Sequence, residues 1–223
     1  AALNLGFHVI FVVPEKFSEE KQILMKALGA DIIHTKREDG MLGAAAKAQE
    51  LLSEIKDSIS LQQFKNMSNP KAHYETTGPE IYQDLDGKID YLVAGAGSGG
   101  TYSGVVKFLK EQNRNIKGIL ADPVGSTMGG GEHADYDIEG IGNDFIAETM
   151  DMSLVDKVIK INDSQAFDGA RALARHEGIL GGSSTGAAFS AALKLIYEHH
   201  VKGNIVFIAP DSGDRYFSKH LYA

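Results

Sequence analysis

The strongest constraint this chain places on its fold is an order: short apolar, β-branched runs alternating with segments of helical spacing. Residues 7–13, FHVIFVV, form a continuous run ended by Pro14, the pattern of a buried parallel strand. The next segment, SEEKQILMKALGA, has Ser18 as candidate N-cap, acids in its first turn, Ile23, Leu24, Ala27 and Leu28 on one face, and Gly29 as its stop. DIIHT (31–35) is a second strand, and Met41, Ala45, Ala48, Leu52 and Ile55 then recur at helical spacing. Strand–helix–strand–helix with short connections predicts a parallel sheet covered by helices.

Residues 56–75 break this rhythm with polar residues and an Asn69-Pro70 turn signal. A junction here divides the chain into 1–70, a smaller α/β domain, and 71–223, a larger one. In the larger part a helix around GPEIYQDL precedes the strand IDYLVAG, and Tyr102, Val105, Val106 and Leu109 set the core face of the following helix. IKGILADP is another strand, and residues 123–145 are long, glycine-rich and without periodicity, the mark of a functional or mobile loop. A helix over 164–177 leads to EGILGGSSTGAAFSAALKLI, a glycine/serine turn opening an apolar helix, and NIVFIAP closes the set of strands before a short helix after DSGDRY.

Composition removes several function classes. The chain has 223 residues, a formal charge of -8 and no Lys/Arg cluster, which argues against a nucleic-acid or anionic-membrane surface. No apolar run approaches the length of a membrane span. Cysteine is absent, which removes disulfides, thiolate nucleophiles and zinc–cysteine sites and fits a cytoplasmic protein. The start, AALNLGFHVIFVVP, carries neither Met nor a signal-peptide pattern and reads as a helix end entering a strand. It predicts further sequence upstream of Ala1.

Two loops carry the chemistry. VAGAGSGGT (93–101) lies between a strand and a helix, and Gly95, Gly97 and Gly100 spell G-x-G-x-x-G. A glycine-rich turn there lets backbone N–H groups converge on an anion at the positive end of a helix dipole. Dinucleotide binding is one reading, supported by Asp122 at the end of the next strand, where a ribose-binding acid would sit. Against it, two strand–helix units precede the motif, where the fingerprint normally opens its domain. A single phosphate and a purely structural turn are the other readings. The second loop, Gly181-Gly182-Ser183-Ser184-Thr185-Gly186, adds hydroxyls, which serve most simply as N-caps. Together the loops point to a cofactor with a phosphate at one end and a neutral hydrogen-bonding need at the other.

QQF (62–64), TTGPEI (76–81), GSGGT (97–101), EGIG (139–142), EGILGGSS (177–184) and PDSGDRY (210–216) occur in an order, spread over the whole chain, that resembles the cysteine synthase and cystathionine β-synthase family of pyridoxal-phosphate enzymes. The resemblance implies fold type II, the tryptophan synthase β-like fold: two three-layer α/β/α domains with mostly parallel sheets, here N-terminally incomplete. It implies that Gly97, Ser98, Gly99, Gly100 and Thr101 cradle the phosphate of pyridoxal 5′-phosphate, that Ser184 (with Ser183 beside it) meets the pyridine nitrogen, and that Pro210 lies near the ring edge. Gln63 would bind substrate, and Gly140, Ile141 and Gly142 would border the mouth of the site. A serine partner leaves the pyridine nitrogen largely unprotonated, which tempers the electron sink and favours expulsion of a β-substituent.

The family's Schiff-base lysine and its Asn-bearing carboxylate loop have no counterpart in this sequence and are expected upstream of Ala1, because Lys16, Lys21, Lys26 and Lys47 read as solvated positions. The implied reaction is β-replacement on serine or O-acetylserine, with homocysteine giving cystathionine or sulfide giving cysteine. DPVGS (122–126) and EGIG lean toward the cystathionine β-synthase side. A cytoplasmic homodimer acting on small amino-acid and thiol substrates is implied as well, with serine acetyltransferase as partner in the cysteine synthase case. An NAD(P)-binding oxidoreductase domain and a non-catalytic fragment are the competing readings.

Remaining candidates have simpler accounts. Glu132, His133 and Asp135 match no established metal spacing and read as a solvated loop, His199 and His200 complement a helix end, and His8 and His34 flank strands. Ser183 and Ser184 lack the G-x-S-x-G elbow of a serine nucleophile.

Overall fold

A computed structural model of the chain describes residues 2–223. They form two compact units: one runs up to Leu61 and takes in Asp214–Leu221, and the other covers Gln62–Gly213 with Tyr222.

In the first unit β1 (Ile10–Pro14) pairs in parallel with β2 (Asp31–Thr35), with α1 (Glu19–Ala27) between them and α2 (Gly40–Glu54) after. The strand is shorter than the run FHVIFVV and less covered than a continuous apolar run implies, with Phe11 39% exposed. Ser18 does precede α1, but its hydroxyl makes no capping bond and is buried without a partner among the described residues. Ile23, Leu24 and Leu28 of α1 are exposed. The carboxy-terminal segment joins this unit through polar contacts: Ser218 donates its N–H and its hydroxyl to the Glu20 carboxylate, each at 2.7 Å, and Lys21 donates to the buried Tyr216 hydroxyl at 2.7 Å.

The second unit is built on four parallel strands in the order β5–β4–β3–β6, where β3 is Tyr91–Gly95, β4 Lys117–Pro123, β5 Lys157–Ile161 and β6 Ile205–Phe207. Strand residues alternate between two covered faces, as the period of two demands. Leu92, Ala94 and Leu120 pack on Tyr102, Val105, Val106 and Leu109 of α5 (Gly100–Gln112), the core face expected from the sequence. Val93, Ile119, Ala121, Ile159 and Ile161 pack on the other side, with Ala166 of α6 (Asp163–Glu177) and Ala187, Ala191 and Leu195 of α7 (Ser183–Tyr197). The unit is therefore a three-layer α/β/α sandwich. Strand β5 was not foreseen; its five residues KVIKI mix lysine with apolar positions and occupy an edge of the sheet.

Residues 62–70, expected with the smaller domain, pack in the second unit. Asn69-Pro70 is not a turn but the opening of α3 (Ser68–Glu75), where a missing N–H has no helical acceptor to lose. Helix α3 lies on α5 so closely that a Cβ on Gly104 would overlap the Pro70 carbonyl. Helix α4 (Thr77–Asp84) follows, and Gly78 seats it against Phe108. Among the described residues no helix is long and apolar enough to cross a membrane.

Helix α6 begins with a capping box, Asn162 accepting from the Gln165 N–H at 2.9 Å and Gln165 accepting from the Asn162 N–H at 3.2 Å. It then meets α7 across paired glycines: a Cβ on Gly169 would lie 2.6 Å from the Gly186 oxygen, and one on Gly186 would overlap the Ala166 oxygen. Because both obstructions are backbone, Gly186→Ala should force the two helices apart. The expected cost is about 2 kcal/mol or more, visible as a lower thermal midpoint, whereas Ala191→Gly, which opens space rather than filling it, should leave the helix pair in place.

Candidate functional site

The loop between β3 and α5 is held by its carbonyl groups. Ala96 O accepts from the Gly142 N–H at 2.8 Å, Gly97 O from the Asn143 carboxamide at 2.5 Å, and Ser98 O from the Thr149 hydroxyl at 2.6 Å. This approach needs glycine. A Cβ on Gly97 would stand 2.6 Å from the Gly140 oxygen, and one on Gly95 would stand 2.5 Å from Ile141 Cγ2. Gly99 has φ +81° and serves as N-cap of α5 without any side-chain capping bond. The Gly100 N–H donates to Ser98 Oγ at 3.4 Å, and the first turn of α5 lies at the positive end of its dipole.

The loop is also tied to Gln63. The Asn69 carboxamide donates to Ser98 Oγ and to Gln63 O, both at 2.9 Å, and the Thr149 hydroxyl lies 3.4 Å from Gln63 O. The Thr149 N–H donates to Phe64 O at 3.3 Å, and Phe64 meets Phe145 edge-on with centroids 5.3 Å apart. Thr101 Oγ1 is 3.1 Å from His73 Nε2, whose Nδ1 is 3.0 Å from Thr77 Oγ1. Partial burial pushes the His73 imidazole below its ordinary pKa.

The second loop is joined to the first by residues 139–143. Ser183 Oγ accepts from the Glu139 N–H at 3.0 Å, while Gly140 and Ile141 pack on Gly97 and Gly95. Helix α7 starts at Ser183, with Gly182 as N-cap, rather than near Gly186. Ser183, Ser184 and Thr185 therefore lie in its first turn, all buried, and Thr185 Oγ1 has no partner among the described residues. Pro210 is exposed in the segment that follows β6. That segment runs from Ile208, whose N–H donates to Val93 O at 3.0 Å, to Ser212, which bridges Gly181. So Gly97–Thr101, Gln63, Gly140, Ile141, Ser184 and Pro210 all fall in one unit, on or beside two connected loops.

Asp122 does not behave as a ribose ligand. It is 1% exposed and accepts from Lys160 Nζ at 2.5 Å and from the Gly129 N–H at 3.0 Å. Lys160 also donates to Ser126 O at 2.7 Å, so the pair pins the loop that follows β4. His133 pairs with Asp144 at 2.8 Å. Asn69, Asn143 and Thr149 were missed by sequence reasoning. All three lie in stretches without periodicity, and each acts through a bond to a distant loop that no local pattern encodes.

These two loops on a parallel α/β sheet belong to a known class. A family model described as pyridoxal-phosphate dependent enzyme matches residues 1–211, and the chain belongs to that family. It is 49% identical over 222 residues to an O-acetylserine dependent cystathionine β-synthase of Bacillus subtilis, covering all of this chain and 72% of that protein. It is 46% identical over 222 residues to a cysteine synthase of Helicobacter pylori, covering all of this chain and 73% of that protein. A crystal structure of an O-acetylserine dependent cystathionine β-synthase from Helicobacter pylori superposes with a TM-score of 0.94 at 44% identity, over all of this chain and 72% of that one. The fold is the tryptophan synthase β-like fold of type II pyridoxal-phosphate enzymes.

The depressed imidazole gives a pH dependence of known sign. The unfolded chain binds the His73 proton more tightly than the folded protein, whose pKa lies below the ordinary 6.5. The contribution of His73 to stability is therefore complete above about pH 6.5 and declines as pH falls toward the lower folded value. Denaturant unfolding of wild type and His73→Gln should run in parallel above neutrality and diverge between about pH 6.5 and 5, wild type losing more. Parallel curves throughout would contradict the assignment.

Proposed function

We propose that this chain carries out pyridoxal-phosphate-dependent β-replacement on O-acetylserine or serine, with homocysteine as the thiol and cystathionine as product. One observation carries the reading: three consecutive carbonyls, of Ala96, Gly97 and Ser98, are each held from the 142–149 segment, just before the N-terminus of α5, where the Gly100 N–H meets only Ser98 Oγ, at 3.4 Å. The N–H groups of Gly97, Ser98 and Gly99 have no acceptor among the described residues, and the loop offers Ser98 and Thr101 hydroxyls besides. That donor set fits a phosphate dianion. The other end fits a neutral ring nitrogen, because Ser184 is a buried hydroxyl in the first turn of α7.

In this reading Gly97, Ser98, Gly99, Gly100 and Thr101 hold the phosphate, Ser184 meets the pyridine nitrogen and Pro210 borders the ring. When bound, the cofactor supplies a sink for negative charge at the substrate α-carbon, which lets the β-substituent leave and a thiol take its place. A hydroxyl opposite the ring nitrogen accepts or donates a hydrogen bond without fixing a proton there, so the sink stays moderate. Gln63, tied to the loop through Asn69 and Thr149, engages the amino-acid substrate, and Gly140 and Ile141 wall the mouth. The Schiff-base lysine is assigned to no residue of this sequence. The relatives named cystathionine β-synthase and cysteine synthase support both thiols, so sulfide with cysteine as product is the second reading. A cytoplasmic homodimer belongs to the same proposal, with serine acetyltransferase as partner if sulfide is the thiol.

The test is turnover by the whole encoded protein with pyridoxal 5′-phosphate, O-acetylserine or serine, and either homocysteine or sulfide, with products identified by mass spectrometry. Cystathionine is expected; cysteine alone would favour the second reading, and neither product would end both. Gln63→Ala should raise KM for the amino-acid substrate about tenfold while cofactor affinity stays unchanged.

A further inference from the structure

Two side chains outside the proposed cofactor contacts act on the loop by a route that the peptide bond makes direct. In a trans peptide the C=O of one residue and the N–H of the next lie in one plane and point in opposite directions. A donor that fixes a carbonyl therefore fixes the following N–H as well. Asn143 Nδ2 donates to Gly97 O at 2.5 Å, which turns the Ser98 N–H away from Asn143. Thr149 Oγ1 donates to Ser98 O at 2.6 Å, which turns the Gly99 N–H away from Thr149.

Both donors are themselves fixed. Asn143 is 6% exposed, and Ser126 Oγ grips its backbone from both sides, accepting from the Asn143 N–H at 3.1 Å and donating to Asn143 O at 3.1 Å. Thr149 is 1% exposed and bonded through its N–H to Phe64 O. Without these clamps the peptide planes at 97–98 and 98–99 would be free to rotate, because glycine on either side of Ser98 offers little steric resistance.

We propose that Asn143 and Thr149 are positioning residues that set the peptide planes of the phosphate loop, so that the Ser98 and Gly99 N–H groups face the anion before it arrives. This rests on the reading of 97–101 as the phosphate site. Neither residue needs to touch the cofactor, and the effect is confined to the phosphate end of it. Preorganised donors strengthen binding because no reorientation accompanies ligand capture.

The experiment compares pyridoxal 5′-phosphate with pyridoxal, which lacks the phosphate, by equilibrium dialysis against wild type, Thr149→Val, Thr149→Ser and Asn143→Ala. Valine keeps the shape of threonine and removes the donor; serine keeps the donor. Wild type should prefer the phosphate-bearing ligand. Thr149→Val and Asn143→Ala should each lose about tenfold in affinity for it while pyridoxal binding stays within about twofold, and Thr149→Ser should retain the wild-type preference. Thermal unfolding checks that each variant folds, and if Thr149→Val does not, Asn143→Ala decides by the same ratio. An unchanged preference in the donor-lacking variants, or an equal loss for both ligands, overturns the positioning role while leaving the phosphate site intact. No preference in wild type overturns the phosphate site and the positioning role with it.

Discussion

The second unit depends on one close approach of backbone to backbone, the Gly140 carbonyl against Gly97. Any side chain at 97 would stand 2.6 Å from that oxygen, a distance that closed-shell atoms do not tolerate. With glycine there, residues 139–143 lie down on the β3–α5 loop. The Gly142 N–H then reaches Ala96 O and the Asn143 carboxamide reaches Gly97 O. The same short segment gives its Glu139 N–H to Ser183 at the start of α7. Two helix N-termini on opposite faces of the sheet are thereby referred to one piece of chain. A cofactor with chemically different ends would need that kind of common reference if, as proposed, each end is bound by a different helix.

The segment that does this has no regular structure between the end of β4 and the short helical turn at Met152–Leu154. It is held by polar bonds to the sheet. Asp122 and Lys160, on adjacent strands, form the anchor, with Lys160 donating to Ser126 O and Asp122 accepting from the Gly129 N–H. Ser126 passes the constraint on to Asn143. Asp122 is buried while Lys160 is partly exposed, so removing Lys160 would leave a buried carboxylate without its counter-charge. The loop is therefore secured by the same free energy that holds the sheet edge, and its geometry does not depend on apolar burial alone.

The core face of α5 and the glycine loops could be read from the sequence because their causes are local, whereas the face read for α1 is exposed. Tyr102, Val105, Val106 and Leu109 repeat at the period of the helix they lie on, and all four are buried. GSGGT and GGSST announce themselves because glycine and hydroxyl residues between a strand and a helix have few other uses. Strand β5 escaped because an edge strand needs only one paired side, so Lys157 and Lys160 are tolerated among its apolar residues. Residues 62–70 read as the close of the smaller domain because polar residues with Asn-Pro look like a turn at its end, yet Pro70 is buried in the first turn of α3. Asn69, Asn143 and Thr149 act through bonds spanning 29, 46 and 51 residues. A single side chain reaching a distant carbonyl leaves no periodic trace.

The side chains bonded to residues 97–101 are those of Asn69, His73, Asn143 and Thr149. Three of them carry no titratable group, and burial pushes the His73 imidazole toward its neutral form. The proposed site would thus meet a phosphate dianion with N–H dipoles, hydroxyls and the α5 macrodipole. A lysine or arginine supplies attraction whatever the orientation of the ligand, because a point charge acts in every direction. Dipoles do so only when they are aimed, and their contribution falls off within about the first turn of the helix. A site of this composition puts its selectivity into geometry. That is why glycine at 97 matters more than any charge nearby, and why the G-x-G-x-x-G spelling, which marks only where the backbone can come close, does not by itself say which phosphate is held there.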